Sequence, residues 1–289
     1  VFETEFRAAT ILDKIDFPQG ARVLDFGCGK AATLRHIVKQ RPDLEPHLFD
    51  VTEAYLNFWG EYVRPENWSV GTPNPAWKQR FDVVLCLYAA EHMVDPAASL
   101  AELRDLVKPG GVVYLMAPDV YANPADFVVI DHTHHYSGPS LHHLIESIGM
   151  SVVSIDATTH HSAFIAIAKN EKPGHAPTLP SAETVAGLHA KMAETAAFWS
   201  KLRERIIAWE AALPAAEPIA IYGAGFYGSY VFACLRNSER VVAFIDRNPH
   251  LHGRQHLGRP VIPPVELAGR ARHIVIALNP SAARNAVDQ

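Results

Sequence analysis

Val23-Leu24-Asp25-Phe26-Gly27-Cys28-Gly29-Lys30-Ala31 runs from an apolar stretch into two closely spaced glycines and on toward a helical pattern. Strand, tight turn and helix in that order open a Rossmann-like βαβ unit. The glycines let the backbone approach a bound molecule where a Cβ would hold it off. By itself, Gly-x-Gly after a strand suits NAD, a flavin or a plain turn about equally. Its surroundings narrow the choice. Asp50 closes the next strand, 21 residues after Gly29, the place from which a carboxylate accepts hydrogen bonds from ribose hydroxyls. Asp25 stands inside the turn, where an acid repels a pyrophosphate but suits a ligand with a cationic amino group and no phosphate.

Outward from this turn, short apolar runs alternate with helix-length stretches, the pattern of a parallel sheet with crossover helices. Phe2, Phe6, Ala9 and Leu12 or Ile11 recur at helical spacing, so residues 2–15 read as an amphipathic helix ended by Pro18 and Gly20. Strands follow at 22–26, 47–51, 82–87 and 112–116, the last entered through a tight Lys108-Pro109-Gly110-Gly111 turn. Helices read at 31–39, 96–106 and 141–148, and strands at 152–155 and 164–168 close a first α/β domain over residues 1–170. Three prolines and a glycine between Asn170 and Pro180 make a linker. One long helix follows at 181–213, capped by Ser181, so that 171–217 is a linker and helix. Strands at 219–222, 241–245 and 274–278 define a smaller Rossmann-like unit over 218–289.

Composition excludes several classes. The 289 residues carry 26 Lys+Arg against 31 Asp+Glu, a net charge of −5, with 48% hydrophobic and 20% charged residues. Such a chain buries a full core and has no global attraction for a phosphate backbone. Basic residues are scattered, and only Lys201, Arg203 and Arg205 group, on the long helix, so no nucleic-acid partner is expected. No apolar run reaches the roughly 18 residues of a membrane span. Three distant cysteines, Cys28, Cys86 and Cys234, make neither a disulfide framework nor a cysteine zinc site. A cytoplasmic protein is expected; its oligomeric state is open. The chain opens at Val1 and stops just after an apparent strand, as a trimmed piece would.

A second loop, Tyr222-Gly223-Ala224-Gly225-Phe226-Tyr227-Gly228, is a full Gly-x-Gly-x-x-Gly with Asp246 18 residues further on. Spacing alone makes it a dinucleotide fingerprint. A complete dinucleotide site needs two βαβαβ halves, and 72 residues supply half of one at most, so NAD binding is not expected.

Asp25-x-Gly27-x-Gly29, Asp50, Phe81-Asp82-Val83-Val84 leading to Glu91-His92-Met93-Val94-Asp95-Pro96, and Leu106-Val107-Lys108-Pro109-Gly110-Gly111 together resemble class I S-adenosylmethionine-dependent methyltransferases over about residues 20–170. Ala31 stands where the family often has a third glycine. The resemblance implies that Asp25, Gly27 and Gly29 hold the methionine end of the cofactor and Asp50 its ribose, with Val51, Leu87 and Tyr88 lining the adenine. The long helix and second glycine loop are similar to the deoxysugar C-methyltransferases, without their N-terminal zinc module. That likeness implies a small polar acceptor, a sugar nucleotide, with Tyr136, Tyr222 and Gly225 as contacts. An O- or N-methyltransferase of another small metabolite, and a non-catalytic cofactor-binding protein, are the alternatives.

Methyl transfer to a hydroxyl, or to a carbon beside a carbonyl, needs a base of near-neutral pKa. Of 16 histidines, His132 in Asp131-His132-Thr133-His134-His135-Tyr136-Ser137 is the favoured base. Asp131 raises its basicity only if the loop folds back to bring the two side chains together. His92, after the fourth strand, is second; His135, His160 and His161 are weaker. His132, His134, His135, His142 and His143 suit a metal by residue type, but His142 and His143 are neighbours on a helix and do not share a face. No metal is expected.

Overall fold

A computed structural model of the chain describes residues 3–279 and residue 283. The expected helix start at Phe2 lies outside them. The chain divides into two compact units, Val1–Leu188 and His189–Gln289.

The first unit begins with α1 (Glu3–Lys14), β1 (Arg22–Phe26), α2 (Ala32–Gln40), β2 (Glu45–Asp50), α3 (Leu56–Trp59) and β3 (Trp68–Val70). It continues through β4 (Phe81–Leu87), α4 (Pro96–Leu106), β5 (Val107–Pro118), α5 (Gly138–Ser147), β6 (Ser151–Asp156) and β7 (Ala163–Lys169). The seven strands lie in the order β3-β2-β1-β4-β5-β7-β6. The first five run parallel, and β7 is antiparallel to both its neighbours. Strand order reverses at β1 and β4, and ligands of open α/β sheets bind at the carboxyl edge of such a point.

Successive residues of a strand face opposite sides, and both sides of this sheet are covered. Leu24, Val84, Val113 and Ala166 pack with Leu103 of α4 and Ile145 of α5. Val23, Val83, Tyr114 and Ile165 pack with Ile11 of α1 and Leu34 of α2. Burial on two faces is why these strands read as continuous apolar runs.

Lys108-Pro109-Gly110-Gly111 is not a turn before the strand but part of β5. Pairing with β4 slips from Phe81↔Val107 to Val83↔Val112, bulging this stretch. Asn170 fastens the bulge: Gly110 N–H donates to its carbonyl at 3.0 Å, and its own N–H donates to Gly111 at 2.9 Å. Helix α4 starts on Asp95, whose side chain accepts from Ala98 N–H, and α5 starts on a Ser137–Ser140 capping box. The two caps fix where the loops bearing His92 and His132 join the framework.

The second compact unit contains most of α6 (Ala182–Ala212), which spans the division, then β8 (Ile219–Tyr222), α7 (Phe226–Cys234), β9 (Val241–Ile245), β10 (Gln255–His256), β11 (Arg259–Ile262) and β12 (His273–Ile276). Ser181 caps α6, accepting from Thr184 N–H at 3.1 Å. The strands form a five-stranded sheet ordered β10-β11-β9-β8-β12, parallel except for the β10–β11 pair. No helix among the described residues is long and apolar enough to cross a membrane.

Candidate active site

The first glycine loop leaves β1 under constraint from both sides. Gly27 has φ +71°, and a Cβ there would lie 2.6 Å from Cβ of Ala89 after β4, closer than real carbon atoms approach. Gly27 and Cys28 N–H groups both donate to the Phe49 carbonyl. Asp50 closes the loop: one oxygen accepts from Gly29 N–H at 2.7 Å, the other from Thr52 N–H at 3.1 Å. Each carboxylate oxygen keeps a second lone pair for a ribose hydroxyl. Ala31, at the family's frequent glycine, has φ +52°, a left-handed conformation that costs a residue with a Cβ roughly 1–2 kcal/mol.

Gly27, Asp50, Val51, Tyr88, His92 and Asp131 are among the residues lining a cleft of about 790 Å³. Gly29 and Tyr55 also line an adjoining recess of about 350 Å³, with Arg7, Asp25, Cys28 and Leu87. Val51 is exposed at the lip, while Leu87 and Tyr88 are half-buried.

The recess holds two unsatisfied polar groups. Asp25 is 2% exposed, and among the described residues neither its Oδ1 nor the buried Nε of Arg7 has a hydrogen-bond partner. Desolvation lifts the Asp25 pKa to about 7, opposed by the positive charge of Arg7 and assisted by the negative charge of Asp50. An anion and a cation facing one recess are what the zwitterionic end of an amino acid needs, and the residues present therefore fit S-adenosylmethionine. Arg7 escapes a sequence reading because it sits among the polar positions of α1; only packing of α1 on the sheet delivers it. Burial also pushes the Cys28 thiol well above its usual range, with the charges of Asp25 and Asp50 adding to the shift, so it stays protonated.

At the other end of the cleft, the turn after β4 meets the loop before α5. The Glu91 carbonyl accepts from His134 N–H and from Thr133 Oγ1, each at 3.3 Å. His92 and His132 meet edge to face with centroids 4.8 Å apart. The expected Asp131–His132 pairing does not form. His132 Nδ1 lies 2.5 Å from Asp126 Oδ1, whereas Asp131 turns to His92, whose Nδ1 is 3.0 Å from the Asp131 carbonyl. Adjacent side chains in this loop diverge, and a carboxylate six residues upstream is the one that folds back. The second Asp126 oxygen lies 2.7 Å from His135 Nδ1. Asp126, 1% exposed, carried no motif that marked it.

Tyr136 is also placed differently from expectation. It is 5% exposed and its hydroxyl donates to the Ala90 carbonyl at 2.9 Å, so it braces the turn instead of reaching an acceptor. Glu91, in the sequence only part of a motif, is 1% exposed, its Oε2 has no partner among the described residues, and burial raises its pKa to about 8. His142 approaches Glu146, His143 the Thr178 carbonyl, and His160 both Glu3 and Tyr88. Of the five histidines weighed for a metal, only His132 joins His92 and Glu91 among the described residues.

In the second unit Gly223 N–H donates to Ile245 and Ala224 N–H to Asp246 Oδ2. A Cβ on Gly228 would lie 2.0 Å from the Gly223 carbonyl oxygen, so that glycine serves close helix–strand packing. Tyr222 ends β8 and Gly225 stands just before α7, both within this unit.

The methyltransferase domain family matches residues 4–155. Ubiquinone biosynthesis O-methyltransferase of Cereibacter sphaeroides is 30% identical over 116 residues, 38% of this chain and 46% of the relative. The protein of the same name from Leptothrix cholodnii is 33% identical over 118 residues, 38% of this chain and 48% of the relative. The chain thus spans about half the length of these curated relatives. A chain from the complex between the Haloferax volcanii Trm112 methyltransferase activator and a methyltransferase shares the fold with TM-score 0.50 at 15% identity, covering 57% of this chain and 89% of that one. The chain belongs to the methyltransferase domain family, and its first unit is a class I S-adenosylmethionine-dependent methyltransferase domain.

Proposed function

We propose that the protein transfers a methyl group from S-adenosylmethionine to an oxygen of a small-molecule acceptor. The observation that carries this reading is that Oδ1 of Asp25 and Nε of Arg7, both buried, have no hydrogen-bond partner among the described residues, beside a glycine loop closed by Asp50. The donor sulfonium is already activated, so the protein chiefly aligns acceptor oxygen, methyl carbon and sulfur in line. The new C–O bond forms as the C–S bond breaks, and its electron pair returns to sulfur, leaving S-adenosylhomocysteine. The acceptor proton leaves at the His92–His132 end of the cleft, with Asp126 holding His132 in one tautomer and orientation. The names of the partial relatives support oxygen as the nucleophile. The second glycine loop supports another acceptor, a carbon of a sugar nucleotide.

Incubation with methyl-labelled S-adenosylmethionine and a panel of phenols, hydroxy acids and nucleotide sugars, read by mass spectrometry, tests the reading. Label transferred to one acceptor class, together with formation of S-adenosylhomocysteine, supports it. Failure to bind S-adenosylhomocysteine in calorimetry overturns it.

A further inference from the structure

We propose that Glu91, His92 and His132 form a binding site for one divalent transition-metal cation, zinc by its donor set, at the acceptor end of the cofactor cleft. This deepens the methyl-transfer reading and rests on it for the cation's role, but not for its binding.

One donor atom from each of the three residues lies within 4.8 Å of the other two. Zinc–nitrogen bonds of about 2.0–2.1 Å place tetrahedral ligands roughly 3.4 Å apart, so the donors need to draw in by up to about 1.4 Å. The ring orientation suits a metal. Asp126 engages Nδ1 of His132 and the Asp131 carbonyl engages Nδ1 of His92, which leaves Nε2 of each ring as the ligating nitrogen. Metal-bound histidines ordinarily show this arrangement, the outer nitrogen held by a carboxylate or carbonyl.

Glu91 supplies the independent observation. It is 1% exposed, yet Oε2 has no partner among the described residues. A buried polar atom left unpaired costs about 1–3 kcal/mol, and such a cost in a native fold calls for an explanation. Glu91 also shares this pocket with the carboxylates of Asp126 and Asp131, whose charges act on it, and a cation offsets that crowding. Two imidazoles and one carboxylate favour zinc, iron, cobalt or nickel over magnesium or calcium. Three protein ligands leave an open position, the pattern of a catalytic zinc site. His92 lines the cofactor cleft, so a cation held there stands where an acceptor oxygen would meet it. Its positive charge would favour loss of that oxygen's proton.

The experiment titrates tag-free, chelator-dialysed protein with Zn²⁺ by calorimetry and with Co²⁺ by visible absorption. The expected result is one equivalent bound at micromolar affinity or tighter, at least about 100-fold weaker in Glu91→Gln and in His132→Ala, and unchanged in His189→Ala, an exposed control on α6. S-adenosylhomocysteine affinity, measured in parallel, reports that each variant is folded. No stoichiometric uptake by protein that binds S-adenosylhomocysteine overturns the metal site and leaves methyl transfer standing. Uptake that survives both cluster variants overturns it too; chelator-insensitive turnover that His132→Ala still abolishes overturns the cation's role in the reaction and makes His132 a proton acceptor. Metal uptake without S-adenosylhomocysteine binding would instead remove the methyl-transfer reading and keep the site.

Discussion

Asp126 Oδ1 lies 2.5 Å from Nδ1 of His132, although the two stand six positions apart and an acid stands next to His132 in the chain. The same carboxylate reaches His135 through its other oxygen. One buried anion therefore sets the orientation of two imidazoles, one of them packed on the cleft-lining His92, while Asp131 is left largely exposed beside His92.

Asp126→Asn tests this placement. An amide offers one acceptor and one donor where the carboxylate offers two acceptors, so one histidine loses its anchor. Turnover is expected to fall about 10–100-fold, the range for partners that orient catalytic or ligating histidines, with S-adenosylhomocysteine affinity unchanged. Asp131→Asn should cost far less. The reverse ranking of the two variants would return the orienting role to Asp131.

Cofactor affinity should follow the ionisation of Asp25. Its pKa is raised to about 7 by burial, and the ammonium group of the ligand binds the charged carboxylate. Below pH 7 binding must first remove a proton, so affinity for S-adenosylhomocysteine should fall up to about tenfold per pH unit. Above pH 7 this contribution levels off. Calorimetry from pH 5.5 to 8.5 reads the bend, and Asp25→Asn should abolish it. A bend retained in that variant would assign it to another group.

Arg7→Met should act in two ways. It removes the cation that opposes the burial of Asp25, so the bend moves above pH 7. It also deletes the partner offered to the ligand carboxylate, weakening affinity by about 1.5–3 kcal/mol, the range for charged hydrogen bonds. An unchanged affinity and bend would place Arg7 outside the cofactor site.

Asp50→Ala should weaken cofactor binding by about 1–3 kcal/mol through stranded hydroxyl contacts. The variant also loses acceptors for Gly29 and Thr52 N–H, so adenosine alone should lose affinity along with the full cofactor. Unchanged affinity for both would exclude a ribose role.

Glu91 carries a stability prediction for the metal-free protein. Its folded pKa of about 8 exceeds the usual 4.5, with burial the largest cause. The neutral carboxyl is the form the fold favours, so this contribution is fully present below pH 4.5 and is lost as pH rises through 8. Urea unfolding should show stability declining over that window, with a smaller decline in Glu91→Gln. Equal slopes in the two proteins would refute the raised pKa.

Sequence by itself determined the parts of this protein that depend on local spacing. The strands at Arg22–Phe26, Phe81–Leu87 and Ala163–Lys169 announce themselves as apolar runs because both faces of the sheet are covered. Gly27, Gly29 and Asp50 are legible because a loop that approaches a ligand needs residues without Cβ at fixed offsets from a strand end. Short elements such as β3 and the β10–β11 hairpin left too few residues to show a period. Tertiary structure alone decided the rest of the candidate site. Arg7 and Asp25, 18 positions apart in the chain, come to line one recess, and Asp126 displaces Asp131 as the partner of His132. Glu91 becomes a buried, unpartnered carboxyl only when the loop before α5 folds over it. Those contacts depend on which surfaces lose water together, and neighbouring residues in a sequence carry no record of that desolvation.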